Sequence, residues 1–480
     1  MKNHKLKLTF NVILFFVFVF GCSQTKPTLS TETSNIINTF YGDALEYKEE
    51  LTQETYFDDE YKESYGLLKD LTKNVGQRLS GSIGAKNAVL WSKAIMENYG
   101  FDNVYLQEVM VPHWERGDVE ECFFYSNDNK VNLKILGAGG TISTPKEGVT
   151  AEVVEVGSLE DVEKLGKKTV SGKIVFYNKG FNPRYINQGA SYGQTGFQRR
   201  LGAIKASEYG AVASIFRSLS SIEDDVPHTG GMSYSNKFDS IPHGALGVLS
   251  SIKLSEELKK NPKTKITVKL SGKWFPDALS HNVIGEIIGS VNPKNIITVG
   301  GHLDSWDVGE GAHDDGAGCV HAIGALRLFQ QQKIKPKNTL RAVMFMNEEN
   351  GLRGGVEYAA VAKNLKEIHI AAIESDASAY VPRGFGFSGN EKQLNKIQGW
   401  LGYFNKNTIS YFSKGGGGAD IGPLHRSLGT PMFGLSVDGQ KYFEMHHTQK
   451  DVFELVNARE LELGTASIAS LIYLIDTYGL

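Results

Sequence analysis

Cysteine is scarce in this chain of 480 residues, which contains only Cys22, Cys122 and Cys319. So few thiols exclude a disulfide scaffold. Cys122 and Cys319 could pair only if the fold brings them together, and two buried thiols are the simpler interpretation. A large excess of either charge is also missing, since 51 Lys and Arg stand against 54 Asp and Glu, for a net charge of -3. This balance argues against nucleic acid or an acidic membrane surface as the main partner.

A long hydrophobic run is absent as well, because the apolar stretch Phe10 to Phe20 is too short to span a bilayer as a stable helix. Lysines precede it and Gly21-Cys22-Ser23 follows, which is typical of an export signal over residues 1–21. Val19 to Cys22 resembles a bacterial lipobox. That resemblance implies lipidation of Cys22 and an exported protein anchored by lipid to the bacterial envelope, on the periplasmic or outer surface side. Ordinary signal cleavage beside an incidental cysteine is the alternative. Residues 22–45 are expected to be a flexible tether.

Internal repeats are not found, so a solenoid is excluded. From residue 276 onward, apolar strand patterns alternate with helical ones, which predicts an α/β fold with a mostly parallel sheet and helices on both faces. The predicted strands are 283–288, 296–301, 340–346, 369–374 and 431–436, and the predicted helices are 317–332, 351–364, 391–404 and 457–476. Two earlier helices are expected at 57–74 and 84–99. The predicted catalytic domain therefore comprises 46–110 and 276–480.

Residues 111–275 have a different sequence pattern, in which short runs of β-branched residues are separated by loops rich in Gly, Ser and Asn. Strands are expected at 151–156, 173–177, 211–216 and 245–249, with one helix at 197–209. No cluster of titratable residues in this stretch has metal-ligand spacing. The stretch is therefore predicted to be a small β-rich domain inserted into the main one.

Polar side chains that can bind metal follow the ends of the predicted strands. Gly300-Gly301-His302-Leu303-Asp304 comes directly after the apolar run Ile296 to Val299. The other such segments are His313-Asp314-Asp315, Asn347-Glu348-Glu349, Glu374-Ser375-Asp376 and His446-His447-Thr448. Ligands of open α/β sheets bind where the strands finish, so these segments are expected to converge.

Five of these side chains are candidate ligands for two metal ions: His302, Asp314, Glu349, Asp376 and His447. Imidazole and carboxylate donors suit zinc, and a short carboxylate such as Asp314 can bridge two ions. Asp304 can accept the second ring N–H of His302 and fix its tautomer. Because neighbours on a strand point in different directions, one of Glu348 and Glu349 can bind metal while the other accepts a proton from water.

Each motif taken singly also fits a structural role. The Asp pair can be a turn or a helix cap, the Glu pair a solvated loop and the His pair a surface feature. Their occurrence together, in one chain order at successive strand ends, favours a metal site.

These motifs in this order resemble the clan MH family of co-catalytic zinc aminopeptidases. The segments Gly301 to Gly309, Glu374 to Asp376, Lys441 to His447 and Gln77 to Ser82 are similar to the carboxypeptidase Q (plasma glutamate carboxypeptidase) branch. The resemblance implies the zinc exopeptidase fold and an inserted protease-associated domain that walls the cleft. It also implies two zinc ions per chain, a dipeptidase or aminopeptidase acting on short peptides with a free N-terminus, and a homodimer.

Roles for individual residues follow from the same resemblance. It implies that His302 and Asp376 bind one zinc, that Glu349 and His447 bind the other, and that Asp314 bridges. Glu348 would then be the general base, with Asp304 supporting His302. Tyr442, Asp420 in the Gly-rich loop and His228 in the inserted region are candidates for contact with substrate. For Tyr442 the alternatives are stabilising the oxyanion and packing, and packing is favoured.

Two other interpretations remain at this point. A non-catalytic binding protein on the same fold would be expected to lack ligands, and here the five candidate ligands and the glutamate base are all present. A single-zinc enzyme similar to glutaminyl cyclase would have a rearranged ligand set and no inserted domain.

Overall fold

The computed structural model describes residues 29–45, 63–377, 379–404 and 409–480. The predicted export signal, the lipidation site Cys22 and the first part of the predicted tether lie outside these residues and stay predictions. In the described part of the chain, no helix has both the length and the apolar content needed to cross a membrane. Cys122 and Cys319 are unpaired and buried, which confirms the simpler interpretation of these thiols.

An eight-stranded mixed sheet forms the centre of the molecule, with strands numbered in chain order and arranged as β1-β10-β12-β11-β13-β16-β14-β15. These strands are β1 Asn103–Glu115, β10 Lys273–Ile287, β11 Asn292–His302, β12 Asn338–Phe345, β13 Ile368–Glu374, β14 Pro382–Ser388, β15 Tyr411–Lys414 and β16 Met432–Val437. The four strands β12, β11, β13 and β16 run parallel to one another. Their carboxyl ends therefore meet at one edge, which is where the candidate ligands were predicted.

Helices cover both faces of this sheet, as the alternating pattern predicted. They are α1 Thr31–Ala44, α2 Glu63–Asp70, α3 Ile83–Asn98, α8 Ala317–Gln331, α9 Arg353–Leu365, α10 Glu391–Gln398, α11 Gly422–Leu428, α12 Tyr442–Met445 and α13 Ala458–Tyr478. Along β12, Ala342 and Met344 join the core formed with α1, α2, α3, α8, α10 and α13. Val343 and Phe345 point the other way and pack with α9 and α11. This two-residue alternation explains why every residue of β12 is buried.

A second eight-stranded sheet lies between β1 and β10 in the sequence, in the order β3-β2-β9-β5-β6-β7-β8-β4. Its strands are β2 Glu120–Ser126, β3 Asn129–Leu133, β4 Ile135–Gly137, β5 Val149–Val156, β6 Ile174–Tyr177, β7 Ala213–Arg217, β8 His243–Leu246 and β9 Lys265–Leu270. Four helices accompany it: α4 Leu159–Val170, α5 Gln188–Thr195, α6 Phe197–Glu208 and α7 Val248–Lys260. The sheet has hydrophobic clusters of its own.

The second sheet begins and ends inside the predicted range 111–275. Val111 to Glu115 and Lys273 to Phe275 instead extend the antiparallel β1–β10 pair of the main sheet. The assignment of residues 111–275 to a protease-associated-like domain stays a prediction. The predicted strand 245–249 also stops early, because α7 begins at Val248.

The predicted tether 22–45 was wrong for its second half, which forms α1. Ile37, Phe40 and Tyr41 of this helix are buried in the main core. The Phe40 ring lies 5.3 Å from that of Phe329, and the Tyr41 hydroxyl is 2.8 Å from that of Ser467 on α13. Segment 29–45 is thus part of the folded catalytic unit rather than a linker.

Candidate active site

The five predicted ligands come together at the carboxyl edge of the parallel strands. His302 ends β11, Glu349 follows β12 and Asp376 follows β13, while Asp314 precedes α8 and His447 follows α12. The pairing of the strands explains why His302, Glu349 and Asp376 are close together. His302 pairs with Phe345 of β12, and Gly300 pairs with Glu374 of β13, so the three strands end at the same level. Each side chain is thus delivered by the end of an element that is anchored in the core.

Asp314 lies between the two histidines. Its Oδ1 is 3.2 Å from Nε2 of His302, and its Oδ2 is 3.2 Å from Nε2 of His447. Asp376 Oδ1 is 3.6 Å from His302 Nε2, and Glu349 Oε2 is 3.1 Å from His447 Nε2. The two oxygens of the buried Asp314 carboxylate therefore face two different pairs of candidate metal ligands. One pair is His302 with Asp376, and the other is His447 with Glu349.

The donors fit metal ions of the zinc type. The ligand atoms of His302, Asp314 and Glu349 lie within 4.8 Å of one another, and so do those of Asp314, His446 and His447. Oε1 of Glu349 is buried without a hydrogen-bond partner among the described residues. An ionised carboxylate is costly to bury in that state, so a cation would satisfy this oxygen.

Two neighbours of the predicted ligands are also close enough to be considered. Asp315 accepts hydrogen bonds from the backbone N–H groups of His302 (3.1 Å) and Gly318 (2.9 Å), so its carboxylate holds the chain. His446 Nε2 is 3.4 Å from Asp314, but Nδ1 of His446 has no described partner. Nδ1 of His447 lies 3.3 Å from the carbonyl of Thr229. Metal-binding histidines normally donate their second N–H, so the geometry favours His447 over His446.

Contacts within the cluster hold its central carboxylate ionised. Burial alone would raise the pKa of Asp314, but hydrogen bonds from His302 and His447 bring that pKa well below its ordinary value. Burial alone would lower the pKa of His302, but Asp314 and Asp376 raise it well above the ordinary value. The carboxylates and imidazoles of the cluster thus stabilise each other's charged forms.

The predicted contact of Asp304 with the ring of His302 is made by its backbone carbonyl rather than by its carboxylate. Nδ1 of His302 lies 2.9 Å from the backbone carbonyl of Asp304, not from its side chain. The carboxylate instead accepts N–H bonds from Asn347 (2.6 Å), Glu348 (3.0 Å) and Glu349 (3.3 Å). Because the turn after β12 presents three backbone donors to one buried carboxylate, Asp304 positions both glutamates while its carbonyl orients His302.

Glu348 lines a cavity of about 320 Å³ together with four of the predicted ligands, Asp314, Glu349, Asp376 and His447. Burial, with added repulsion from Asp376, Glu349 and Asp314, raises the pKa of Glu348 to about 8 despite the opposing effect of His302. Its carboxyl group is not among the clusters of possible metal donors in the described residues. The group is therefore placed to exchange protons in the cavity.

Other residues fix the loops that carry the ligands. Arg78 is fully buried and donates to the carbonyls of Gly76, Leu303, Glu310 and Gly311. In the same way, Asp451 accepts the N–H groups of His313 (2.7 Å) and Asp314 (3.1 Å). Arg78 lies in the segment Gln77 to Ser82. The sequence showed that this segment resembles the family branch, but it did not indicate what the segment does.

The second sheet closes the site through the segment His228 to Gly230. The Thr229 N–H donates to the carbonyl of His447 at 3.0 Å. Gly230 has φ +131°, and a Cβ there would lie 2.3 Å from Nη1 of Arg199 and 2.6 Å from Nδ1 of His447. Only glycine permits this approach.

Two of the three predicted substrate contacts do not reach the cavity. The His228 imidazole is buried without a hydrogen-bond partner in the described chain, and burial lowers its pKa to about 3. Asp420 is also fully buried, and burial next to Glu374 raises its pKa well above the ordinary value. Neither side chain is part of the described cavity wall, whereas Tyr442 is.

Sequence reasoning missed the residues that the second sheet contributes to the cavity. The complete described lining is Tyr192, Arg199, Arg200, Gly231, Asp314, Glu348, Glu349, Asp376, Tyr442, Phe443, His446 and His447. The first three lie on α5 and α6. Charged residues on an amphipathic helix resemble a solvated face, so the local sequence contains no signal for them.

Comparison with known proteins gives a consistent result. A model of peptidase family M28 matches residues 282–472. Carboxypeptidase Q of Xenopus laevis is 37% identical over 392 residues, which cover 81% of this chain and 80% of that protein. Carboxypeptidase Q of Homo sapiens is 34% identical over 412 residues, covering 86% and 85%.

Solved structures agree with these relatives. A peptidase M28 precursor from Shewanella amazonensis superposes with a TM-score of 0.85 at 30% identity, covering 94% of this chain and 98% of its own. The zinc aminopeptidase BSAP from Bacillus subtilis shares the fold, with a TM-score of 0.60 at 21% identity over 84% and 93% of the two chains. The chain therefore belongs to peptidase family M28 and is a metallopeptidase related to carboxypeptidase Q.

Proposed function

We propose that the protein is a di-zinc exopeptidase that hydrolyses dipeptides and short peptides with a free N-terminus. His302 and Asp376 would hold one zinc ion, Glu349 and His447 would hold the other, and Asp314 would contact both. The observation that carries this proposal is the placement of the two Asp314 oxygens, each 3.2 Å from a different histidine. Bound zinc would supply polarisation of the scissile carbonyl and a lowered pKa for a water molecule.

Glu348 would act as the general base. It would take a proton from the attacking water and deliver that proton to the leaving amine. Its place in the cavity wall beside Glu349 and Asp376 supports this role, because among the described residues this carboxyl group is not one of the clustered metal donors and is left available for proton transfer. All five candidate metal ligands and Glu348 are present, which disfavours a non-catalytic binding protein. The ligands form two pairs on either side of Asp314, which disfavours an enzyme with a single zinc ion.

The Glu348→Gln variant tests this assignment. We expect the zinc content per chain to be unchanged and the rate on Leu-Ala to fall by about 10²–10⁴-fold, because the amide cannot accept the proton. Metal analysis and a ninhydrin assay of released leucine measure the two effects. Glu357→Gln, an exposed position on α9, is the matched control.

Loss of zinc from Glu348→Gln would mean that the roles of Glu348 and Glu349 are exchanged. Hydrolysis of N-acetyl-Leu-Ala as fast as Leu-Ala would contradict the requirement for a free N-terminus.

A further inference from the structure

The turn after β12 carries Glu348 and Glu349 and belongs to no helix or strand. It comprises residues 346–352, between the end of β12 and the start of α9. Glu349 would be restrained by the metal ion that it binds, whereas Glu348 binds no metal in the proposed mechanism. The position of the Glu348 carboxyl group therefore depends on the contacts of the turn itself.

The backbone of this turn changes direction at Asn347, which has φ +75°. Residues with a Cβ rarely adopt this left-handed conformation, although asparagine tolerates it better than most. The Asn347 carbonyl accepts the N–H of Leu352, and its Oδ1 accepts the N–H of Arg353 at 3.2 Å. Because Glu348 is the next residue, this conformation sets the direction in which its side chain leaves the turn.

The side chain of Asn347 is held by a residue from a distant part of the chain. Its Nδ2 donates to the hydroxyl of Ser80 at 3.0 Å, and that hydroxyl donates to Oδ1 of Asn350 at 2.8 Å. Nδ2 of Asn347 also donates to the same Oδ1. These three side chains form a closed set of hydrogen bonds, the hydroxyl–amide triangle. Gly351 leaves room for it, since a Cβ there would lie 2.1 Å from Oδ1 of Asn347.

Burial makes the hydroxyl–amide triangle specific for one arrangement of the turn. Ser80 is 1% exposed and Asn347 is fully buried. Without the Ser80 hydroxyl, one N–H of the Asn347 amide would lose its partner. A buried donor without a partner is unfavourable, so the turn would be expected to move until that N–H is satisfied.

The segment Gln77 to Ser82 is itself fixed, so it can act as an anchor. Gly81 has φ +87°, and a Cβ there would lie 2.9 Å from Cβ of His113 on β1, which shows how closely the segment packs on this strand. Through its guanidinium, Arg78 holds the loops after β11 and before α8. The same segment thus fixes two ligand-bearing loops through Arg78 and the turn after β12 through Ser80.

Asp304 and the hydroxyl–amide triangle restrain the turn in different ways. Asp304 accepts the backbone N–H groups of both glutamates, so it acts on the base and on a metal ligand together. The triangle contacts the residues on either side of the glutamates, Asn347 before them and Asn350 after them. With zinc holding Glu349, loss of the triangle would leave the metal site in place and release Glu348.

We propose that Ser80, acting through Asn347 and Asn350, is a positioning residue for the general base Glu348. The inference rests on the proposed exopeptidase function, since it explains how the base of that reaction is held. It predicts an effect of Ser80 on the chemical step, with little effect on zinc content or on substrate affinity. Misplacing a reacting group by about 1 Å can lower a rate by about 100-fold.

Kinetics of the full-length, zinc-loaded protein test the proposal. Ser80→Ala should lower kcat for Leu-Ala by about 10- to 100-fold, with KM within about threefold of the wild-type value and zinc per chain unchanged. Asn347→Gly should lower kcat to a similar extent, because glycine adopts a φ of +75° without strain and lacks only the amide. The second variant keeps the test decisive if the first fails to fold.

Ser82→Ala is the matched control. Ser82 lies in the same segment, but its hydroxyl accepts the N–H of Ala85 at 3.1 Å and so caps α3 instead of contacting the turn. This variant should leave kcat unchanged.

A double variant separates positioning from a general loss of structure. In the Glu348→Gln background the base is already absent, so Ser80→Ala should cause little further loss of kcat. A merely structural defect would lower the rate by the same factor in both backgrounds.

Amide hydrogen exchange of the zinc-loaded protein supplies a measurement that does not depend on turnover. In Ser80→Ala, the peptide that covers residues 346–352 should exchange about 2- to 10-fold faster than in wild type, which corresponds to the loss of one hydrogen bond. Exchange in α8, which the hydroxyl–amide triangle does not contact, should be unchanged.

Wild-type kcat in both Ser80→Ala and Asn347→Gly would overturn the inference. The same holds for an undiminished loss in the Glu348→Gln background, a parallel loss of zinc, or unchanged exchange in residues 346–352. Failure of the proposed function gives other results. If the wild type does not hydrolyse Leu-Ala, the exopeptidase proposal fails, and hydrogen exchange alone decides whether Ser80 holds the turn. If Glu348→Gln loses its rate while Ser80→Ala and Asn347→Gly keep theirs, only the positioning role of Ser80 fails.

Discussion

At the scale of single residues, Asp304 shows how one side chain can organise several others. Its carboxylate accepts hydrogen bonds from three backbone N–H groups of the turn after β12, and its backbone carbonyl lies next to Nδ1 of His302. The side chain therefore acts on the metal centre only through the position of Glu348 and Glu349.

The Asp304→Asn variant tests that role. The amide retains one accepting oxygen and adds two donors that face backbone N–H groups, so the turn should shift. We expect zinc affinity to fall by about 10- to 100-fold, with a parallel loss in rate. Competition with a chelator measures the affinity, and Asp438→Asn, an exposed position, is the control. Unchanged zinc affinity would show that the turn does not depend on this carboxylate.

The positions of His302, Glu349 and Asp376 were predictable because each lies at or just after the end of a strand that the apolar pattern reveals. The choice between the carbonyl and the carboxylate of Asp304 was not, because it depends on how the turn after β12 approaches β11. Arg199 and Tyr192 were not predictable either. They lie more than 240 residues from His447 in the sequence, and only the packing of the two sheets brings them together.

At the scale of elements, prediction succeeded where burial imposes a pattern. Strands β11, β12 and β13 are covered by helices on both faces, and each contains a short buried run that is mostly apolar. Strands β14 and β15 were missed, because β14 begins with Pro382 and alternates glycine with phenylalanine, and β15 has only four residues.

Helix α1 was missed because its composition is mostly polar, although Ile37, Phe40, Tyr41 and Ala44 have helical spacing. The Phe40→Ala variant tests whether this helix stabilises the catalytic unit. The Phe40 ring is fully buried against Phe329 and Tyr473, so its loss should reduce the free energy of unfolding by about 3–5 kcal/mol. Urea unfolding followed by fluorescence measures this, with Asn38→Ala, exposed on the same helix, as the control. If Phe40→Ala and Asn38→Ala changed the free energy of unfolding by the same amount, the helix would not stabilise the catalytic unit, and the prediction of a flexible tether would stand.

At the scale of the whole molecule, the site is assembled from two sheets that are joined through the long β1–β10 pair. Composition and patterning predicted an α/β protein with a separate β-rich segment, but the boundary at Glu120 and Leu270 depends on how far this pair extends. One buried histidine lies on a strand of the second sheet, and another lies on a helix that packs against the main sheet. Because burial disfavours the charged form of both, the free energy of unfolding should depend on pH.

His243 and His321 are the histidines concerned. Nδ1 of His243 lies 2.7 Å from the Ser214 hydroxyl and Nε2 lies 3.1 Å from the Arg199 carbonyl. His321 is held between the hydroxyl of Ser375 and a carbonyl of α13. Burial lowers the pKa of each to about 4 from an ordinary value of 6.5. Between these values the unfolded chain binds protons that the folded chain does not.

The stability that these two residues contribute is therefore fully present above pH 6.5 and is lost as the pH falls from 6.5 toward 4. Each histidine should steepen the fall in unfolding free energy by up to about 1.4 kcal/mol per pH unit in that range. Urea unfolding of wild type and His243→Gln at pH 7.5, 6.5 and 5.5, with chelator present throughout, isolates one of them, because contributions from the metal ligands cancel in the difference. The variant should be less stable at pH 7.5, since a packed side chain is changed, yet lose less stability on acidification. Parallel curves for the two proteins would show that His243 is not held neutral in the folded state.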